Sequence, residues 1–233
     1  MIKNCLICSQ KNFKIIWRDK IRSGKNSFTK KKESIYKCLN CNLVFLKKKR
    51  KKLENSAVAR KIYNNNNSIK EFLNFHKPRE LKKLNLVKKF INFENKNILE
   101  SNCGAGVILS ILKKKSKTTS GIDDISYKSY LEQNSHNYFS SFDVAIKKKK
   151  KFDIIFSLSE LEHKYDPISF LKKIKSVMSK QGRIILRIPN YNNIYSMIVG
   201  KDYYKYDFRT SHNYYFSDEN INLLVKKAGF KIK

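Results

Sequence analysis

The sequence predicts an α/β fold built on a doubly wound, mostly parallel sheet, and three observations predict it. Apolar runs of strand length alternate with helical patterns from residue 97 onward. A turn of small residues, SNCGAG (101–106), joins the first such strand to the first such helix. An acid, Asp123, closes the next strand about twenty residues beyond that turn, the spacing at which parallel sheets place a ribose-binding acid.

A chain of 233 residues holds one sizeable domain and a small appendage. The pattern divides it into a metal-binding segment at 1–46, a basic linker with a helical lead-in at 47–80, and the sheet-forming domain at 81–233. In the first part, Cys5 and Cys8, then Cys38 and Cys41, make two CxxC pairs on either side of residues 9–37. Each pair aims two thiolates at one tetrahedral ion, and the segment is too small to bury a core of its own, so zinc would supply much of its folding energy. The N-terminus MIKNCLICSQ has no signal-like apolar region, and no run of 18 apolar residues occurs. A soluble, cytoplasmic chain is therefore expected, in a compartment where paired cysteines bind metal more often than they bridge.

The net charge of +32 invites a nucleic-acid or membrane partner. Lysine dominates the basic residues, however, and lysine lacks the planar fork that arginine brings to phosphate and base edges. KKKRKK (47–52) and KKKKK (147–151) accordingly read as solvated loops.

Farther along, NNNN (64–67) and the His76 to Pro78 stretch read as loop, and LKKLNLVKKFI (81–91) as the first helix. NILE (97–100) is a strand and GVILSILKKK a helix. TTSGIDD (118–124) is the second strand. FDIIFSLSELEH (152–163) is a strand running into a loop, DPISFLKKIKSVM (166–178) a helix opened by Asp and Pro, and GRIILRIPN (182–190) the next strand. AGFKIK (228–233) reads as the start of a sixth strand, without the closing hairpin that would follow it.

Gly104 and Gly106 give the SNCGAG turn room to approach a ligand. Alone, such a turn serves an ordinary strand-to-helix connection equally well. Val107 stands where a dinucleotide fingerprint would carry its third glycine, which argues against a pyrophosphate and for a ligand with a charged amino-acid end. Cys103, inside the turn, reads as a packing residue.

Taken in order, CLIC, YKCLNCNLVFL, ILESNCGAG, GIDD, FDIIFSLSELEHKYDPISFL, GRIILRIPN and SHNYYFSDENINLLVKKAGF resemble the Rossmann-like class I S-adenosylmethionine-dependent methyltransferases. Within these, the chain is similar to the bacterial group with an N-terminal zinc-ribbon-like segment, which includes sugar C-methyltransferases. The resemblance implies that Glu100, Asn102, Gly104 and Gly106 hold the methionine end of S-adenosylmethionine, Asp123 the ribose, and Asp143 the adenine side. It implies zinc on Cys5, Cys8, Cys38 and Cys41, and acceptor chemistry at His163, His212 and Tyr215. Asn102 replaces the family's first glycine, and asparagine tolerates a left-handed backbone. Arg209 and Ser211 replace the tyrosine and glutamate that the C-methyltransferases carry before the second histidine, which leaves O- or N-methylation open.

The expected function is methyl transfer to a small acceptor, sugar-containing or nucleotide-linked, in surface-polysaccharide or natural-product synthesis. An RNA methyltransferase is the alternative, and a non-enzymatic zinc-ribbon binding protein on a decayed methyltransferase fold is a third.

Overall fold

The computed structural model describes residues 4–24, 26–47 and 66–232. The chain forms two compact units, a head unit from residues 1–54, 159–172 and 188–233 and a sheet unit from residues 55–158 and 173–187.

The head unit opens with β1 (Phe13–Asp19), β2 (Glu33–Cys38) and β3 (Val44–Leu46), an antiparallel meander. β2 and β3 alternate little because Ile35, Val44 and Leu46 go into a core completed by Ile21, Phe208 and Tyr215.

The sheet unit begins with α1 (Asn66–Lys88), which buries Leu84 beside Val87 and Ile91. This helix starts well before the expected residue 81, and it carries His76 and Pro78 in its interior rather than in a loop. Proline removes the N–H that would bond the carbonyl of Asn74, but both residues are exposed, so water can take that carbonyl and the helix continues. Asn66 and Asn67 lie in its first turn, and residues 48–65, with most of the KKKRKK run, lie outside the described residues.

Next come β4 (Asn97–Ser101), α2 (Val107–Leu112), β5 (Thr118–Ile122), α3 (Lys128–Gln133), β6 (Asn137–Phe139), α4 (Phe142–Lys147) and β7 (Phe152–Leu158). α5 (Pro167–Val177) and β8 (Met178–Arg187) follow. The five strands pair in the order β6-β5-β4-β7-β8, every pair parallel. This is the Rossmann-like, doubly wound sheet. Strand order reverses between β4 and β7, and the carboxyl end of β4 is therefore where such a sheet opens a ligand crevice. Ile98, Leu109, Leu131, Ile154 and Phe156 fill the core beneath that point.

The chain then returns to the head unit with α6 (Ile194–Val199), α7 (Lys201–Asp207), β9 (Tyr214–Tyr215) and α8 (Asp218–Lys227). β9 pairs with β3 through Val44 with Tyr215 and Phe45 with Tyr214, giving a sheet ordered β1-β2-β3-β9. The first 46 residues thus do not close on themselves, and their fourth strand comes from the far end of the sequence. The expected sixth strand does not form. Residues 230–232 join no ladder, and a strand exists only against a partner.

Candidate functional site: a glycine turn, a histidine pair and four thiols

In the sheet unit, the turn after β4 is built from three left-handed residues, Asn102 (φ 54°), Gly104 (φ 52°) and Gly106 (φ 71°). Asparagine at the first position keeps the conformation that glycine would give. At Gly104 a Cβ would meet nothing within 4 Å, so the backbone there faces open space. The Asp123 carboxylate accepts from Gly104 N (2.6 Å) and from Asp124 N (2.7 Å), which ties the end of β5 to the turn.

Glu100, the fourth residue of β4, is 8 % exposed, and its Oε2 has no hydrogen-bond partner among the described residues. Burial holds its pKa well above the ordinary carboxylate value, and the nearby Glu80 and Asp123 push the same way. Glu80, on α1, is itself clamped by Lys83 at 2.6 and 2.8 Å. A buried carboxyl with an unused oxygen beside an open backbone turn fits a ligand that brings a cation and N–H donors. The methionine end of S-adenosylmethionine is of that kind.

Asp143 is placed differently. It stands in the first turn of α4, capped by Ser141, and pairs with Lys173 at 2.6 Å on the surface. An acid at a helix start beside a lysine has a structural reason to be there.

In the head unit, His163 and His212 face each other with ring centroids 4.8 Å apart. Nδ1 of His163 lies 2.6 Å from the carbonyl oxygen of Ser211. A carbonyl only accepts, so the proton sits on Nδ1 and the lone pair on Nε2. Burial lowers the His163 pKa, against the pull of that carbonyl, and keeps the ring neutral at neutral pH. Burial also drives His212 down to about 2, with the neighbouring His163 adding to it. Asn213 clasps the two loops by donating from Nδ2 to the His163 carbonyl (2.9 Å) and from its backbone N to the Glu162 carbonyl (2.8 Å).

Tyr215 is fully engaged by the backbone of Arg209, accepting from its N at 2.9 Å and donating to its O at 3.1 Å. Its hydroxyl holds the fold together there. Two acids escaped the sequence reading. Glu162, 2 % exposed, puts Oε1 3.9 Å from Nε2 of His163, and Asp207 lines the same narrow cleft as Glu162, His212, Tyr214 and Tyr215. Glu162 had one signal, its place beside a singled-out histidine in LEH, and Asp207 had none.

The four thiols converge as the spacing implied. Cys5 Sγ lies 3.4 Å from Cys41 Sγ and Cys8 Sγ 3.5 Å from Cys38 Sγ, all four within 4.8 Å of one another. Zinc–sulfur bonds of about 2.3 Å give tetrahedral edges of about 3.8 Å, so the set fits one such ion. Burial raises the Cys5 thiol while the N–H groups of Cys8 and Ile7 lower it; at Cys38 burial is outweighed by the N–H groups of Cys41 and Asn40 and the Cys8 thiol. Cys103 is buried under the glycine turn, as expected of a packing residue.

Residues 71–233 match a family described as a methyltransferase domain. The chain belongs to that family. Among relatives of this methyltransferase-family chain, a tRNA U34 carboxymethyltransferase of Nautilia profundicola is 32 % identical over 114 residues, 45 % of this chain and 38 % of that protein. A ubiquinone biosynthesis O-methyltransferase of Coxiella burnetii is 26 % identical over 133 residues, 52 % of this chain and 56 % of that one. The chain thus spans about half or less of these relatives. The magnesium protoporphyrin IX methyltransferase of Synechocystis, solved with S-adenosylhomocysteine, shares the fold at TM-score 0.55 and 15 % identity, covering 77 % of this chain and 86 % of that one.

Proposed function

We propose that this chain transfers a methyl group from S-adenosylmethionine to a small acceptor, sugar-containing or nucleotide-linked. The observation that carries the reading is the buried, unused Oε2 of Glu100 at the switch point of a methyltransferase-family sheet. S-adenosylmethionine supplies an electrophilic methyl on a sulfonium. Glu100 and the backbone of Asn102, Gly104 and Gly106 bind its methionine end, and Asp123 accepts from its ribose hydroxyls. His163 takes the acceptor's proton at Nε2, because Nδ1–H is already committed to Ser211. Its lowered pKa keeps that lone pair available at neutral pH. His212, neutral throughout, packs against the His163 ring and fixes its plane. Residues 1–46 carry one zinc on Cys5, Cys8, Cys38 and Cys41, and residues 81–233 carry the transfer chemistry.

An RNA acceptor is the second reading, favoured by the +32 charge and by the similarity to a tRNA-modifying enzyme. Salt separates the two. Labelled cofactor offered to sugar-nucleotide and RNA pools should label the former, with little change between about 50 and 200 mM salt. An RNA substrate held by six or more phosphate contacts would lose orders of magnitude over the same range. Labelling of RNA alone, steeply salt-dependent, overturns the small-acceptor reading.

A further inference from the structure

We infer that α6 and its flanks form a docking face for an anionic lipid surface. The helix is inverted relative to a core helix. Ser196 is its one buried residue, donating from Oγ to the carbonyls of Tyr191 (3.1 Å) and Asn193 (2.6 Å). Asn193 caps the first turn by accepting from Ser196 N, and its Nδ2 donates to the Tyr203 hydroxyl (2.8 Å) and the Asn190 carbonyl. Polar groups therefore anchor the underside firmly. Ile194, Tyr195, Met197, Ile198 and Val199 project outward, Met197 80 % and Ile198 76 % exposed.

Folding does not explain this arrangement, because five apolar side chains left in water on a well-anchored helix forfeit the burial that normally orders a helix. A contiguous exposed patch of that kind marks an interaction site. Its surroundings identify the partner. α7, packed on α6, exposes Lys201 and Lys205. Tyr206, on the same helix, meets the ring of Phe28 at 6.3 Å, both rings being exposed, and the chain runs from Phe28 directly into exposed Lys30, Lys31 and Lys32.

An apolar tip, flanking aromatic rings and lysines around them are the composition of a segment that lies in the headgroup region of an acidic bilayer. With six residues α6 is about 9 Å long, which suits insertion in the interface plane, and no described helix is long and apolar enough to cross a membrane. Nucleic acid fits the tip less well, because four of its five outward side chains, Ile194, Met197, Ile198 and Val199, offer bases no stacking platform.

The test is co-sedimentation of the full chain with vesicles of phosphatidylcholine alone and of phosphatidylcholine with phosphatidylglycerol. Wild type should partition to the anionic vesicles. The double variant Met197→Gln, Ile198→Asn keeps the net charge and should bind at least about tenfold more weakly, since both lost side chains would have entered the acyl boundary. Circular dichroism checks that it folds, and Ile198→Ser alone repeats the test with a milder change. Failure of wild type to bind anionic vesicles overturns the proposal. Undiminished binding by the folded double variant overturns it too, because charge alone would then suffice. So does a dimer in sedimentation velocity that the double variant dissolves, which would assign the face to a second copy, or RNA binding that the double variant abolishes. The readout is binding rather than turnover, so the outcome is independent of the acceptor assignment.

Discussion

The turn after β4 and the histidine loops of the head unit are built by opposite routes. The turn is local. Seven consecutive residues, Glu100 to Gly106, set its left-handed backbone and its buried acid, and only Asp123 comes from elsewhere, one strand away. The head unit is assembled from afar. His163 is oriented by Ser211, β3 is completed by β9, and Cys5 meets Cys41. A local site survives as long as its sheet stands, whereas an assembled one is lost when any single tie is cut.

The largest expected effect follows from cutting the metal tie. Cys38→Ser, or a strong chelator, should abolish amide-exchange protection in residues 33–46 and 214–216 while β4, β5 and β7 stay protected. Structural zinc contributes about 10–16 kcal/mol of apparent binding energy in small domains. Purified protein should carry one zinc per chain by elemental analysis. Less than about half an equivalent after anaerobic purification, with residues 33–46 still protected, would show that the apolar core holds the head unit by itself.

Next in size is the base proposed above. His163→Asn should lower turnover by about 10²–10⁴ with S-adenosylhomocysteine affinity unchanged. Wild-type kcat should hold as pH falls through 6.5, because the ring protonates only below its ordinary value. Full activity of His163→Asn removes the assignment and leaves the head unit a scaffold.

The smaller effects sharpen the picture of the turn. Asp123→Ala should weaken S-adenosylhomocysteine by at least about tenfold in calorimetric titration, the loss of one charge-assisted hydrogen bond. Glu100→Gln should also weaken it, yet raise the melting temperature of the ligand-free protein. The folded chain keeps the Glu100 proton above the pH at which the unfolded chain releases it, so this group's stability contribution is full below the ordinary carboxylate pKa and is lost as pH rises through the elevated folded value. At pH 8 a relief of ~1 kcal/mol moves the midpoint by about 2–4 °C. A lower melting temperature for Glu100→Gln at pH 8 would mean that the carboxylate supports the fold and is not held in reserve for a ligand.

The same contrast explains what could be read from the residues alone. The glycine turn, its acid and the two CxxC pairs were legible because spacing along the chain carries them, and the parallel order of the strands followed from their alternation with helices. The pairing of Phe45 with Tyr214 was not legible, since no periodicity links positions so far apart. Glu162 and Asp207 were missed for a related reason: only the folded chain brings them to the cleft that His212 also lines. β6, with three residues, is too short to show a period of two. Pro78 misled outright, because the rule that helices stop before proline weighs less than an exposed helix face where the lost bond is replaced by water.

Asn102 carries a consequence beyond geometry. Glycine at this position would leave the unfolded chain free to sample both halves of φ space, and folding would have to remove that freedom. Asparagine samples fewer conformations, yet includes the left-handed one the turn uses. The substitution therefore shifts part of the cost of ordering the turn out of the folding reaction and into the covalent structure itself. Restoring glycine at 102 would remove an exposed side chain and would widen the conformational freedom that the unfolded chain has to lose at this turn.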